Sequence, residues 1–330
     1  MLSIIIVNYN SLSLIQNCIA SILPHISDFD YEIIVVDNSG DAQEIVKVSG
    51  NVKYISMHYN SGFARANNVG MRQAKGDCFL LLNPDTLALD NSITECYRQL
   101  TSSDFIAAGV QQLNADGSKQ ISGNFFMKGG INHLLPVPYW GGFLRWLGYQ
   151  SKTKVPNVAS AKSIEEVDWI SGAFLMVKRE AVEKAGMLDE DFFLYAEEVE
   201  WCNRLRKVGK LCIFGDLRIV HLEGQTINKA NNIEEKGYYN LYDKKGLQLM
   251  VSNHLRVRKQ YGVFWFLFLL LNYTWGVFIF LIASTLHHLF TVRNPFKDWK
   301  RVGAFAKNVF RLWILTPTII QNKPHFYKMF

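Results

Sequence analysis

The sequence predicts an α/β fold: a mostly parallel sheet flanked by helices, followed by a C-terminal hydrophobic and basic helical region that associates with a membrane. Three observations predict it. Short apolar runs rich in β-branched residues alternate with helix-length stretches, as in buried parallel strands joined by helices. The runs end in polar residues, where open α/β sheets bind ligands. Residues 251–330 hold 11 of the 35 basic residues, one acidic residue (Asp298) and 18 of the 44 aromatic residues.

A chain of 330 residues that is 49% hydrophobic is neither disordered nor fibrous. Its net charge of +6 conceals a mildly acidic body, with 24 basic and 28 acidic residues before position 251. The natural division is a globular domain over 1–250 and a membrane-associating region over 251–330. A basic tail so rich in aromatic residues suits a lipid surface better than a nucleic acid. The five cysteines (Cys18, Cys78, Cys96, Cys202 and Cys212) are widely spaced without a C-x-x-C pair, which argues against a disulfide framework or a zinc site. Leu2–Val7 lacks the features of a secretory leader, so the body is expected in a reducing cytosol.

In order, LSIIIV (2–7) and EIIVV (32–36) read as strands around a helix over about 11–21. A helix over 62–75 leads into a third strand, CFLLL (78–82). Residues 114–166, with paired glycines and scattered Pro and Trp, read as a variable loop region. Regularity returns with a strand in VDWISGAFLMV (167–177), a short helix over about 179–185 and a helix over about 195–208. Val199, Cys202, Leu205 and Val208 give this last helix a buried face. Residues 263–290 carry no charge and are long enough to span a bilayer. Because basic clusters flank them on both sides, the favoured topology is a re-entrant hairpin bending near Asn272–Gly276, or an interfacial helix pair.

Four groups of polar residues could carry chemistry. Asp37, Asn38 and Ser39 end the second strand, where a carboxylate can accept from a nucleobase or ribose, although the same residues make an ordinary turn. Asp85 follows CFLLL through Asn83 and Pro84 and offers oxygen to a hard divalent cation. Glu197 and Glu198 open a helix, where one could be a general base and another a dipole partner, while Glu200 forms a surface pair with Arg204. His221 ends an apolar run and is either structural or a metal ligand.

These pieces in this order resemble the inverting family 2 glycosyltransferases of the GT-A, Rossmann-like fold, in particular the rhamnosyltransferase-like branch of bacterial surface polysaccharide synthesis. The resemblance is carried by IIIVNYNS (4–11), VVDNSG (35–40), NSGFARANNVGM (60–71), FLLLNPDT (79–86), residues 169–210 and HLEGQT (221–226). It implies a nucleotide-sugar donor, dTDP- or UDP-linked, bound by Asn8, Asp37, Asn38, Asn67, Asn68 and Asp85. It also implies Mg²⁺ or Mn²⁺ on Asp85 and His221, with Asn83 in place of the first carboxylate of the family's D-x-D element. Trp169, Ser171 and Gly172 would line the sugar and acceptor site, and Glu198, or its neighbour Glu197, would be the base. The expected reaction moves a sugar, rhamnose from dTDP-rhamnose as the first guess, to a polyprenyl-diphosphate-linked glycan in O-antigen or capsule-type synthesis. Its expected place is the cytoplasmic face of the bacterial inner membrane, peripheral or monotopic. The alternatives are transfer to polyprenyl phosphate itself and a catalytically silent scaffold of a polysaccharide assembly complex.

Overall fold

A computed structural model describes residues 1–26, 29–39, 52–151, 157–222 and 240–330; Gly40 of the second motif and residues 223–226 of the last lie outside the described residues. In chain order the elements begin β1 (Leu2–Asn8), α1 (Leu12–Ile22), β2 (Tyr31–Asp37), β3 (Val52–Ser56), α2 (Gly62–Gln73), β4 (Cys78–Leu82), β5 (Thr86–Leu87) and α3 (Ser92–Thr101). They continue with β6 (Phe105–Leu113), β7 (Gly123–Asn124), α4 (Trp140–Gln150), β8 (Asn157–Val158), β9 (Glu165–Val167), β10 (Trp169–Ile170) and β11 (Phe174–Lys178). The last are α5 (Arg179–Ala185), α6 (Glu197–Leu205), β12 (Lys210–His221), α7 (Lys244–Tyr261), α8 (Val263–Phe290) and α9 (Trp299–Gln321).

The chain forms two compact units. The first comprises 1–125, 157–193 and 197–236; the second comprises 126–156, 194–196 and 237–330. Residue 250 lies inside α7.

The first unit is built on a mixed sheet in the order β3-β2-β1-β4-β11-β6-β12-β5, with β9 also paired to β12. The β3-β2-β1-β4 half is parallel throughout, whereas β11 runs antiparallel to both β4 and β6. Strand side chains alternate faces, so a strand apolar at every position demands cover on both sides. Ile5, Ile34 and Val36 face a core shared with Ala64 and Met71 of α2. Ile4, Ile6 and Val35 face one shared with Ile15, Cys18 and Ile19 of α1.

Three features of this unit depart from the sequence expectations. The expected strand over 167–177 is three short strands, with β9 on β12, β10 on β7 and β11 on β4, broken by a turn in which Phe174 N–H donates to Ser171 O. The expected helix over 195–208 begins only at Glu197, because Tyr195 (φ 71°) and Ala196 (φ 65°) are left-handed and cannot extend it. Glu200 is buried rather than on the surface, and both its oxygens take the Arg204 guanidinium, which also donates to Ala185 O and Met187 O.

The second unit shows that 114–166 is not a loop region throughout, since 126–156 packs with the C-terminal helices and contains α4. Gly129 has φ +68° and lies under the Trp265 indole, where a Cβ would meet the ring at 1.9 Å. Only glycine permits both that conformation and that approach. The re-entrant hairpin is also overturned: α8 runs unbroken for 28 residues through Asn272 and Gly276. The polar Asn272 side chain is satisfied within the helix, where its Nδ2 donates to Phe268 O at 2.8 Å. α9 returns alongside α8, with Trp299 Nε1 on Thr285 Oγ1 at 3.1 Å and Trp313 Nε1 on Thr274 Oγ1 at 2.9 Å, which makes the pair antiparallel.

Candidate active site

The polar residues singled out in the first unit gather at one edge of the sheet. Asn8 and Asp37 are register partners at the ends of the parallel strands β1 and β2. Ile6 of β1 is level with Leu82 of β4, so residues 83–85 leave the sheet at that same edge. Leu82 in turn pairs with Phe174, and Asn83 N–H donates to Ala173 O at 3.0 Å, which brings the 171–173 turn there from β11. Strands lie 4.7–4.9 Å apart, so the ends of β2 and β4, flanking β1, are separated by roughly 10 Å.

At the β2 end, Asp37 is fully buried. Its Oδ1 accepts from Asn8 Nδ2 at 2.7 Å and from the Ser39 N–H at 3.0 Å. Its Oδ2 accepts from the Tyr54 hydroxyl, a partner on β3 that no sequence signal identified. Asn8 Oδ1 accepts from Ser11 N–H and Oγ, both at 3.0 Å, fixing the turn into α1. The neighbouring amides are committed to the fold. Asn38 Oδ1 accepts from Ser61 Oγ at 2.7 Å and its Nδ2 donates to Gly62 O, which pins the start of α2. Asn67 donates to Phe63 O within α2, and Asn68 pairs in both directions with the Leu188 backbone.

At the β4 end, the pairing of Thr86 with His221 between β5 and β12 brings Asp85 and His221 together, although they are far apart in the chain. Asp85 Oδ1 lies 3.4 Å from His221 Nε2, and both side chains are buried. Asn83 Nδ2 lies at the same distance from that nitrogen. Gln120, which the sequence reading missed, fixes the ring. Its Nε2 donates to Asn114 Oδ1 and His221 O, both at 2.7 Å, so its Oε1 is the atom left to accept from His221 Nδ1 at 3.0 Å. This assignment places a proton on Nδ1 and, in the neutral ring, turns the Nε2 lone pair toward Asp85. A carboxylate oxygen and an imidazole lone pair converging in this way fit a divalent cation. Among the described residues no cluster of three His, Cys, Asp or Glu side chains could complete a cage, so remaining positions would go to water and ligand oxygens, as suits Mg²⁺.

The third group joins the 171–173 turn to α6. Gly172 packs against Glu198, whose Cγ would lie 3.4 Å from a Cβ at position 172. Ser171 N–H is tied to Ser122 O, and Trp169 is held in β10 opposite Asn124. The two glutamates differ in environment. Glu197 is buried, its Oε2 has no hydrogen-bond partner among the described residues, and burial first, then the charge of Glu198, holds its pKa well above the usual carboxylate range. Glu198 is partly exposed.

Residues 3–143 match the family described as Glycosyl transferase family 2. The chain is 29% identical over 216 residues to the low-salt glycan biosynthesis hexosyltransferase Agl10 of Haloferax volcanii, a match covering 62% of each chain. It is 26% identical over 203 residues to the N-acetylglucosaminyl-diphospho-decaprenol L-rhamnosyltransferase of Mycobacterium tuberculosis, covering 55% of this chain and 63% of that one. The match thus spans less than two thirds of either relative. In fold, it resembles the mannosyltransferase PcManGT from Pyrobaculum calidifontis, solved with GDP-Man and Mn²⁺, with a TM-score of 0.54, 13% identity and coverage of 96% of this chain and 86% of that one. Over residues 3–143 the chain is therefore similar to the family 2 glycosyltransferases, and its fold resembles that of the mannosyltransferase.

Proposed function

We propose that the chain transfers a sugar, rhamnose from dTDP-rhamnose as the first candidate, from a nucleotide-sugar donor to a lipid-linked glycan at a membrane surface, with inversion. The observation that carries this reading is the shared sheet edge. It sets Asp37, the Asp85–His221 pair and the Gly172–Glu198 contact on neighbouring strand ends, at a spacing suited to a nucleoside diphosphate. The names of the two relatives support a hexosyl or rhamnosyl product, and that of the second supports a polyprenyl-diphosphate acceptor.

In this reading Asp37 accepts a hydrogen bond from the base, and Asn8 and Ser39 hold its carboxylate in place. Asp85 and His221 would hold Mg²⁺ or Mn²⁺, which when bound offsets the charge that builds on the diphosphate as the sugar leaves. Gly172 leaves open the space beside Glu198. The Glu198 carboxylate takes the proton of the acceptor hydroxyl as that oxygen attacks the anomeric carbon opposite the diphosphate. Its partial exposure suits this role, whereas Glu197 is buried and biased toward its neutral acid.

Calorimetric titration of the full chain with dTDP, UDP and GDP, with and without Mn²⁺, tests the reading. Metal-dependent binding of one nucleotide is expected. Folded protein that binds none of them would overturn it.

A further inference from the structure

The second unit carries a surface that the transfer reaction does not use. α8 has two different faces. On one, Phe266, Leu269, Tyr273 and Phe280 are buried in the unit. On the other, Phe264, Leu271, Trp275, Phe278, Ile282 and Leu289 are between 48% and 72% exposed. These six recur at spacings of three, four and seven residues, a single stripe running the helix's length of about 40 Å. The exposed face of α9 continues it through Trp299, Phe310, Trp313 and Ile314, joined to α8 by the Trp299–Thr285 and Trp313–Thr274 hydrogen bonds. Beside this stripe on α9 stands an exposed basic row, Lys300, Lys307 and Arg311, at the helical spacings that place all three on one flank. Asp298, the one acid after residue 250, is turned onto His288 of α8 at 2.9 Å.

We propose that α8 and α9 lie flat in one anionic lipid leaflet, immersed through this shared apolar face with the basic row at the headgroups, and that α8 does not cross the bilayer. The proposal rests on the membrane reading above and supplies its geometry. A helix in which only a third of the most apolar window is buried could by length and hydropathy span a membrane. Its other face forbids this. Tyr273 donates to His133 O at 2.7 Å, and Trp265 covers Gly129, so the irregular backbone of 128–134 is bound to α8. His254 of α7, beside Arg256, packs its ring 4.9 Å from Tyr273. Insertion along the normal would drag irregular backbone and a basic helix into hydrocarbon, which leaves their polar groups without water. In-plane docking leaves these contacts intact and immerses only what is already exposed. The choice of anionic lipid follows from charge complementarity with the basic row.

The five native cysteines are buried, so single cysteines introduced by Phe264→Cys, Trp275→Cys, Leu289→Cys and Lys307→Cys can be labelled selectively with a polarity-sensitive dye. The labelled full chain is mixed with phosphatidylcholine vesicles containing phosphatidylglycerol, and depth is read with graded quenchers. The proposal expects positions 264, 275 and 289 at one shallow depth and position 307 at the headgroups. It also expects the combined Lys300→Glu, Lys307→Glu and Arg311→Glu variant to bind these vesicles at least about ten-fold more weakly with nucleotide binding retained. Position 275 deep with 264 and 289 shallow would overturn the in-plane geometry while sparing the membrane reading. Dye left in water at all positions, in protein that still binds nucleotide, would overturn both.

Discussion

The phenol of Tyr54 is bonded to the carboxylate of Asp37, so the group proposed to read the base is capped from β3 and has no exposed surface. A base imide N–H aimed at Oδ2 must displace or share that hydroxyl. Tyr54→Phe is therefore expected to tighten nucleotide binding by about five-fold, roughly 1 kcal/mol, the net value of a hydrogen bond that no longer has to be exchanged. Calorimetry with the preferred nucleotide measures it. Unchanged affinity would mean that the base does not use Oδ2.

The two glutamates at the start of α6 should separate by readout. Glu198→Gln is expected to lower transfer by about 10²–10⁴-fold with donor affinity unchanged, the span usual for loss of a general base. Glu197→Gln should spare most of the turnover and change stability instead. A carboxyl whose pKa is raised on folding binds its proton more tightly in the native than in the unfolded state. Stability from it is present below the unfolded value of about 4.3 and is lost as pH rises toward the folded value. Urea denaturation across pH 4–8 should show that decline in the parent protein and a flatter profile in Glu197→Gln. Coincident profiles would count against it.

Gln120 holds His221 by two hydrogen bonds, one to the ring and one to the backbone carbonyl. Gln120→Ala is expected to weaken Mn²⁺ binding in the presence of nucleotide by 10–100-fold, the usual effect of losing the partner that orients a ligating imidazole. Titration followed by Mn²⁺ electron paramagnetic resonance checks this, and an unaltered isotherm would remove His221 from the metal.

Tyr195 and Ala196 both adopt left-handed backbone just before α6. Glycine meets no Cβ clash in that region, although it costs more backbone entropy on folding. Ala196→Gly is expected to raise unfolding free energy by about 0.5–1 kcal/mol, as chemical denaturation would show. A loss of stability would mean that the alanine methyl contributes more packing than its conformation costs.

The sheet was legible where strands are buried on both faces, because LSIIIV, EIIVV and CFLLL are short, nearly continuous apolar runs, the first two rich in β-branched residues, which suit strands covered on both sides. Asp37, Asp85 and His221 were legible as strand-end residues. What joins them to Tyr54 and Gln120 was not, since those contacts arise through sheet register and turns, which sequence spacing does not encode; Gly172 was named through the family resemblance, but its contact with Glu198 was not. The 114–166 segment was misread because much of it packs through single aromatic and glycine positions, such as Gly129 beneath Trp265, rather than through a repeating pattern. The hairpin expected at Asn272–Gly276 failed because charge flanks report which residues avoid the membrane interior, not whether the helix between them bends.

The joining of Asp85 to His221 also bears on how the chain comes into being. β12 lies parallel to β6 and then reaches antiparallel to β5, so its final residue closes a loop that opened at residue 85. A nascent chain exposes Asp85 long before His221 has left the ribosome, and loop closure of that length is among the slower steps available to a folding sheet. Half of the Asp85–His221 pair thus waits for the other half, and an incompletely synthesised chain holds the carboxylate without the imidazole. At the proposed metal site, cation affinity would then report that the sheet has closed.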